Sequence, residues 1–150
     1  MEVLDNAQKF ENYRAQMGRL THAINAHFYL EALFIEYAIM EDRLESILTH
    51  AGVFREDKHN TITKKLRRLE TLCQSDKAAK KYFSPELLQS ILDWKENRNK
   101  FIHALMKQVF TGEELKEIVD QGQEIVKTLN NKSSCYKRAL ERQKEIEKND

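Results

Sequence analysis

Two residue types able to handle charge at an oxyanion stand close together in the chain, Arg98 and His103, with Asn99 beside the arginine. Arginine carries a permanent charge on a planar fork that matches two oxygens of a phosphate or carboxylate. Histidine has an unperturbed pKa near 6.5 and so gives and takes protons near neutral pH. Together they could move a proton beside a clamped phosphate, with Asn99 as a positioning group. Both sit on one predicted helix, from Pro85 to about Met106, opened by Ser84 as N-cap, Pro85 at the first helical position and Glu86 in the first turn. With Leu87 at zero on a wheel of about 100° per residue, Leu87, Ile91, Trp94, Phe101 and Leu105 fall within about 40° of one line, and Arg98 falls at about 20°.

A guanidinium in the middle of an apolar stripe costs several kcal/mol unless it meets an anion, opens into a cavity or reaches water along the stripe. The predicted anionic partners are Glu31, Glu36, Glu41 and Asp42, acids on the most apolar segment of the chain. A second arc holds Leu88, Leu92, Asn99, His103 and Met106, so the helix is expected to be covered on two sides, once by its own core and once by a second subunit. Arg98 and His103 lie five residues and about 140° apart and do not share an ideal face. A site using both needs a long reach, a local irregularity or two chains. Lys95, between the two arcs, adds a cation or is simply solvated.

The elements that must position these residues are helical. The chain has 150 residues, 41% hydrophobic and 33% charged, with 4 Gly and 1 Pro, which leaves little turn material for a sandwich or barrel. We read one all-α domain over residues 1–150 with about five helices. The first spans Glu2 to Leu20. The second, Thr21 to Thr49, is apolar on every side and hence central, and Gly52 stops it. A basic stretch follows in which Lys64, Lys65, Arg67 and Arg68 are interleaved with Ile62, Leu66, Leu69 and Leu72; these cations form a solvated face or contact phosphates. Thr111 and Glu114 have the spacing of a capping box for a last helix, and residues from about 131 to 150 form a charged helix or tail.

A net charge of +1 argues against a broad electrostatic wrap around nucleic acid but permits a small cationic cleft. Cys73 and Cys135 read as ordinary thiols of a reducing compartment, and no zinc spacing joins them to the histidines. No run approaches the ~18 apolar residues of a membrane span, and the polar start MEVLDNAQKFENYR is unlike a signal peptide. A cytoplasmic protein is expected, without membrane contact, metal or cofactor.

The segment WKENRNKFIHAL resembles the signature of the HEPN superfamily, an Arg followed after four to six residues by His, with a polar residue commonly next to the Arg. Here it reads Arg98-Asn99-Lys100-Phe101-Ile102-His103, and the upstream helix YLEALFIEYAIMEDRLESIL extends the resemblance over most of the chain. Arg43 and His50 also fit the spacing, but Leu44 follows that Arg. The resemblance implies a four- to five-helix up-and-down bundle that dimerises so that Arg and His of both copies converge. It further implies a metal-independent endoribonuclease acting on single-stranded RNA or tRNA, of the toxin or phage-defence kind, with a possible antitoxin partner. In that reading His103 is general base or acid, Arg98 the phosphate clamp and Asn99 the positioning group. Leu105 stands where members modified by a nucleotidyltransferase carry Tyr, so that mode of silencing is not implied. The alternative is a non-catalytic helical bundle that binds a protein or nucleotide; a coiled-coil scaffold fits least, because the apolar pattern is not a sustained heptad.

Overall fold

The computed structural model describes residues 2–150, and these form six helices with no strand. Helix α1 (Asn6–Asn25) opens with a capping box: Gln8 donates its backbone N–H to the Asp5 carboxylate at 2.8 Å, and Asp5 donates its own to Gln8 Oε1 at 2.9 Å. It ends at a turn in which His27 takes a φ of 62°. The predicted helix from Thr21 to Thr49 is thereby corrected to two, since residues 21–25 finish α1 and α2 (Tyr29–His50) begins after the turn. Gly52, with φ 75°, stops α2 as expected.

Thr61 caps α3 (Ile62–Ser75) by accepting from Lys64 N. Asp76 then does two things at once. Its backbone N–H continues α3 by donating to Leu72, and its carboxylate accepts from Ala79 N to start the six-residue α4 (Lys77–Tyr82), an element the sequence reading lacked. The same carboxylate accepts from Tyr136 Oη at 2.8 Å, which fixes this corner to the last helix. Helix α5 (Pro85–Ala104) starts at Ser84-Pro85, with Leu87 N donating to Ser84 Oγ. Helix α6 (Gly112–Asn149) starts from the Thr111–Glu114 capping box and runs 38 residues without a break, so the charged end is the continuation of one helix rather than a separate element.

One continuous apolar cluster runs through the molecule, centred on α2 and α6, the most extensive helix pair. Leu33, Met40, Leu44, Ile47 and Leu48 of α2 meet Val119, Val126, Leu129 and Tyr136 of α6, all buried. Each such aliphatic side chain contributes about 1.5–3 kcal/mol on leaving water. Helix α1 covers α2, α3 packs on α2 and α4, and α5 lies against α6 and α3. Trp94 locks α5 to α6: its ring is buried and Nε1 donates to Ile118 O at 2.9 Å. Helix α2 is central but not enclosed, because Glu31, Phe34, Ala38, Asp42 and Glu45 lie on an exposed face. Among the described residues no helix is long and apolar enough to cross a membrane.

Candidate functional site

The C-terminal half of α5 carries the residues of interest. Arg98 sits on the core face of the helix in line with Ile91 and Trp94, at 9% exposure. None of the acids expected to neutralise it forms an ion pair with it. Glu41 accepts from Lys65 Nζ at 3.1 Å, Asp42 binds Arg43 at 2.6 Å, Glu31 is exposed, and Glu36 is fully buried with both carboxyl oxygens unpartnered. Instead, the guanidinium carbon lies 4.2 Å from the centre of the Tyr37 ring and 5.1 Å from that of Phe34. Aromatic faces are negative, so two rings of α2 take the place of a carboxylate. The sequence places Phe34 and Tyr37 in the segment expected to be the central helix, and their spacing of three residues, which puts two rings on one face, is the signal it offers.

The guanidinium hydrogens are unevenly satisfied. Nη1 donates to Asn99 Oδ1 at 3.0 Å, and Nε is buried without a partner. Nη2 has no hydrogen-bond partner among the described residues and is not one of the sealed nitrogens, so it keeps some contact with solvent. Burial pushes the guanidinium below its ordinary pKa, with Tyr37 acting the other way, yet the group stays charged.

His103 is exposed on another side of α5. It lines a concavity of about 660 Å³ with Asn99, Lys100, Lys107, Glu96 and Phe110. Two cations against one anion favour an anionic guest there. The structure does not bring Arg98 and His103 into one concavity within a protomer; Asn99 links them, lining the histidine's concavity while bonding the arginine. Phe110 stacks on Phe101 at 4.4 Å and holds the turn after α5 against the helix. That turn also displaces two predicted residues. Past Ala104 the helical ladder is replaced by Lys107 N and Gln108 N both donating to Ala104 O, so Leu105, expected in the apolar stripe, is 41% exposed and Met106 is 94% exposed.

The second cover of α5 is internal. Leu88 and Leu92 face a groove shared with Leu66 and Cys73 of α3, so α3 occupies the side assigned to a second subunit at these positions. Lys95 belongs to this groove as well, with Nζ donating to Thr63 Oγ1 at 2.8 Å, and is absent from the histidine concavity.

Of the four cations on α3, Lys65 is excluded as a phosphate contact. It is 2% exposed and held by Glu41 and, at 3.7 Å, Glu45. Lys64 and Arg67 are exposed and Arg68 half-buried, on a different helix from the Arg98 and His103 surfaces. No group of three or more His, Cys, Asp or Glu is placed to hold a metal ion among the described residues.

Glu36 is a second ionisable group of the core without a partner, and periodicity gives no sign of its isolation. It packs where α6 has Gly122; a Cβ there would collide with Glu36 Oε1 and lie 2.7 Å from Trp94 Nε1. Burial, and then the negative charge of Asp120, push its carboxyl up to about 9, so it is neutral at pH 7. The fold is thus that of an all-helical bundle in which two buried ionisable groups lack an ion-pair partner, one charged on α5 and one neutral on the central helix. Compared with known proteins, the chain matches no family model, no curated protein and no solved structure.

Proposed function

We propose that the protein is a metal-independent endoribonuclease of the HEPN type, with a composite site made by two copies of the chain. The observation that carries this is Arg98: a charge that cannot be neutralised, held in the core face by aromatic rings without a carboxylate, with Nη2 left free for an anion and Nη1 bonded to the asparagine that lines the His103 concavity. In the cleavage step His103 of one copy takes the proton of a 2′-hydroxyl as that oxygen attacks phosphorus. Arg98 holds the equatorial oxygens of the phosphorane, and His103 of the second copy protonates the departing 5′-oxygen. The products are a 2′,3′-cyclic phosphate and a 5′-hydroxyl, with no metal needed.

Leu105, Met106 and Val109, all exposed beside His103, supply the apolar surface for a second copy, which would bring two histidines together. The substrate class is single-stranded RNA or tRNA. The location is cytoplasmic, where the free thiols of Cys73 and Cys135 stay reduced. The role is stress or phage defence, with a partner that silences the enzyme.

The separation of Arg98 from the His103 concavity within one protomer favours a second reading, a bundle that binds RNA or a partner without turning it over. Cleavage in EDTA separates the two. Arg98→Ala and His103→Ala should each lose about 10²-fold or more in rate, and mixing the two variants should restore part of it if residues of different copies cooperate. Undiminished cleavage by both variants sinks the nuclease assignment, and absence of cleavage by the unaltered protein on varied RNAs favours the binding reading over it.

A further inference from the structure

Phe34 combines three features. It is 57% exposed on the open face of the central helix, it lies under the Arg98 guanidinium at 5.1 Å, and it forms one wall of a groove between α1 and α2 of about 490 Å³. One face of the ring serves the guanidinium, and the ring also borders the groove, so it is the joint between the two.

The groove beside it is suited to a flat, polar-edged ring. Tyr13 and Ile35 give it apolar walls, while Asn12 and Gln16 of α1 supply two side-chain amides. Gln16 Nε2 donates to Asn12 Oδ1 at 3.4 Å, which leaves the Asn12 amide hydrogens and the Gln16 oxygen free, a donor and an acceptor side by side. Lys9 adds a cation, and the charge of Asp42 is already taken by Arg43 at 2.6 Å. Aromatic face, amide edge and nearby cation are what an unpaired nucleobase requires: a face to stack on, partners for its Watson–Crick edge, and charge for the backbone. A base inside a duplex already spends both faces and that edge on its neighbours.

We propose that Phe34 and the α1–α2 groove form a base-binding subsite, which takes an unpaired base of the strand whose phosphate Arg98 holds. The subsite rests on the ribonuclease reading for the identity of the strand, and it assigns to Phe34 the choice of single-stranded over double-stranded substrate. The contiguity of the two sites carries this, since one ring is shared between the groove and the guanidinium.

The test is fluorescence anisotropy with a short labelled 2′-O-methyl oligoribonucleotide, which binds as RNA but has no free 2′-hydroxyl to attack. Phe34→Ala should weaken binding about ten-fold or more, as for loss of one stacked base, whereas Phe34→Trp should keep it. An oligonucleotide abasic at each position in turn should bind the unaltered protein as weakly, at one of those positions, as the intact strand binds Phe34→Ala, with no further loss when the two changes are combined. Gln16→Ala should change the preference among bases at that position.

Equal affinity of Phe34→Ala and unaltered protein overturns the subsite, as does an equal loss for intact and abasic strands, which would mean that Phe34 only orients Arg98. No binding by the unaltered protein also overturns it. Cleavage of ordinary RNA by the protein with Phe34-independent binding would leave the nuclease and remove the subsite; Phe34-dependent binding without cleavage would do the reverse.

Discussion

Two buried ionisable groups at helix α2 have no ion-pair partner, its own Glu36 and Arg98 of α5, and the molecule treats them in opposite ways. At the junction with α6 and Trp94, Glu36 is sealed and has no hydrogen-bond partner, so it sheds its charge by keeping a proton. At the junction with α5, Arg98 cannot do that, and it is held by the rings of Phe34 and Tyr37 with one nitrogen keeping some contact with solvent. A nearby third case, Lys65, is conventionally paired with Glu41 and Glu45. A carboxyl can be stored in a closed core as a neutral group, but a guanidinium keeps its charge and has to meet an anion, aromatic faces or water. The charge of Arg98 meets two rings and no carboxylate, which distinguishes that junction from the neutral one at Glu36.

Three changes press on this contrast. The largest effect is expected at the closed junction. Gly122→Ala puts a methyl group against Glu36 and Trp94 and should destabilise by about 1–3 kcal/mol in urea unfolding. Glu36→Ala in the same chain should recover part of that loss, and strict additivity of the two changes would show that they do not share the space.

The next effect is pH-dependent. Glu36 has a folded pKa of about 9 against an ordinary 4.5. Between those values the unfolded chain releases a proton that the folded one retains, so this group's contribution to stability falls as pH rises through that window and is flat outside it. Glu36→Gln, which stays neutral, should gain stability over the unaltered protein progressively from pH 5 to pH 8 and show no such gain at pH 4. A pH-independent difference would mean that Glu36 is ionised in the fold.

The smallest effect on stability belongs to the charged junction. Arg98→Met keeps the packing volume and relieves a buried charge without a carboxylate, which offsets the lost Asn99 hydrogen bond and ring contacts, so unfolding free energy should stay within about 1 kcal/mol while RNA cleavage is lost. A loss of several kcal/mol would place the guanidinium in the scaffold rather than the site.

Parts of this were readable from residue order because they rest on local chemistry. Ser84-Pro85 and the Thr111–Glu114 pair announce two helix starts by capping groups alone, and the structure has both. The position of Arg98 on the core face of α5 follows from the 3.6-residue period. What failed depended on long-range or unmarked features. The break between α1 and α2 turns on His27 in a left-handed conformation, with no Gly or Pro to announce it. The α3–α4 junction depends on Asp76 serving two helices and Tyr136, sixty residues away. Periodicity could not tell that Lys65, alone of four neighbouring cations, turns toward Glu41 and Glu45. The expected carboxylate partner of Arg98 was a rule about charge, and the molecule met the same need with rings.

Helix α6 has a consequence for how this protein will look in solution. Its buried residues end at Tyr136, and residues 141–150 are all exposed, so roughly the last 15 Å of the helix has no tertiary support. Isolated helix of that length is marginal in water. The chain has one tryptophan, Trp94, and it is buried in the core beside α6. On warming, far-ultraviolet ellipticity should therefore begin to fall well before Trp94 fluorescence changes. Such non-coincident transitions would ordinarily be taken as a folding intermediate, whereas here they would record a single rod melting from its free end while the bundle stays whole.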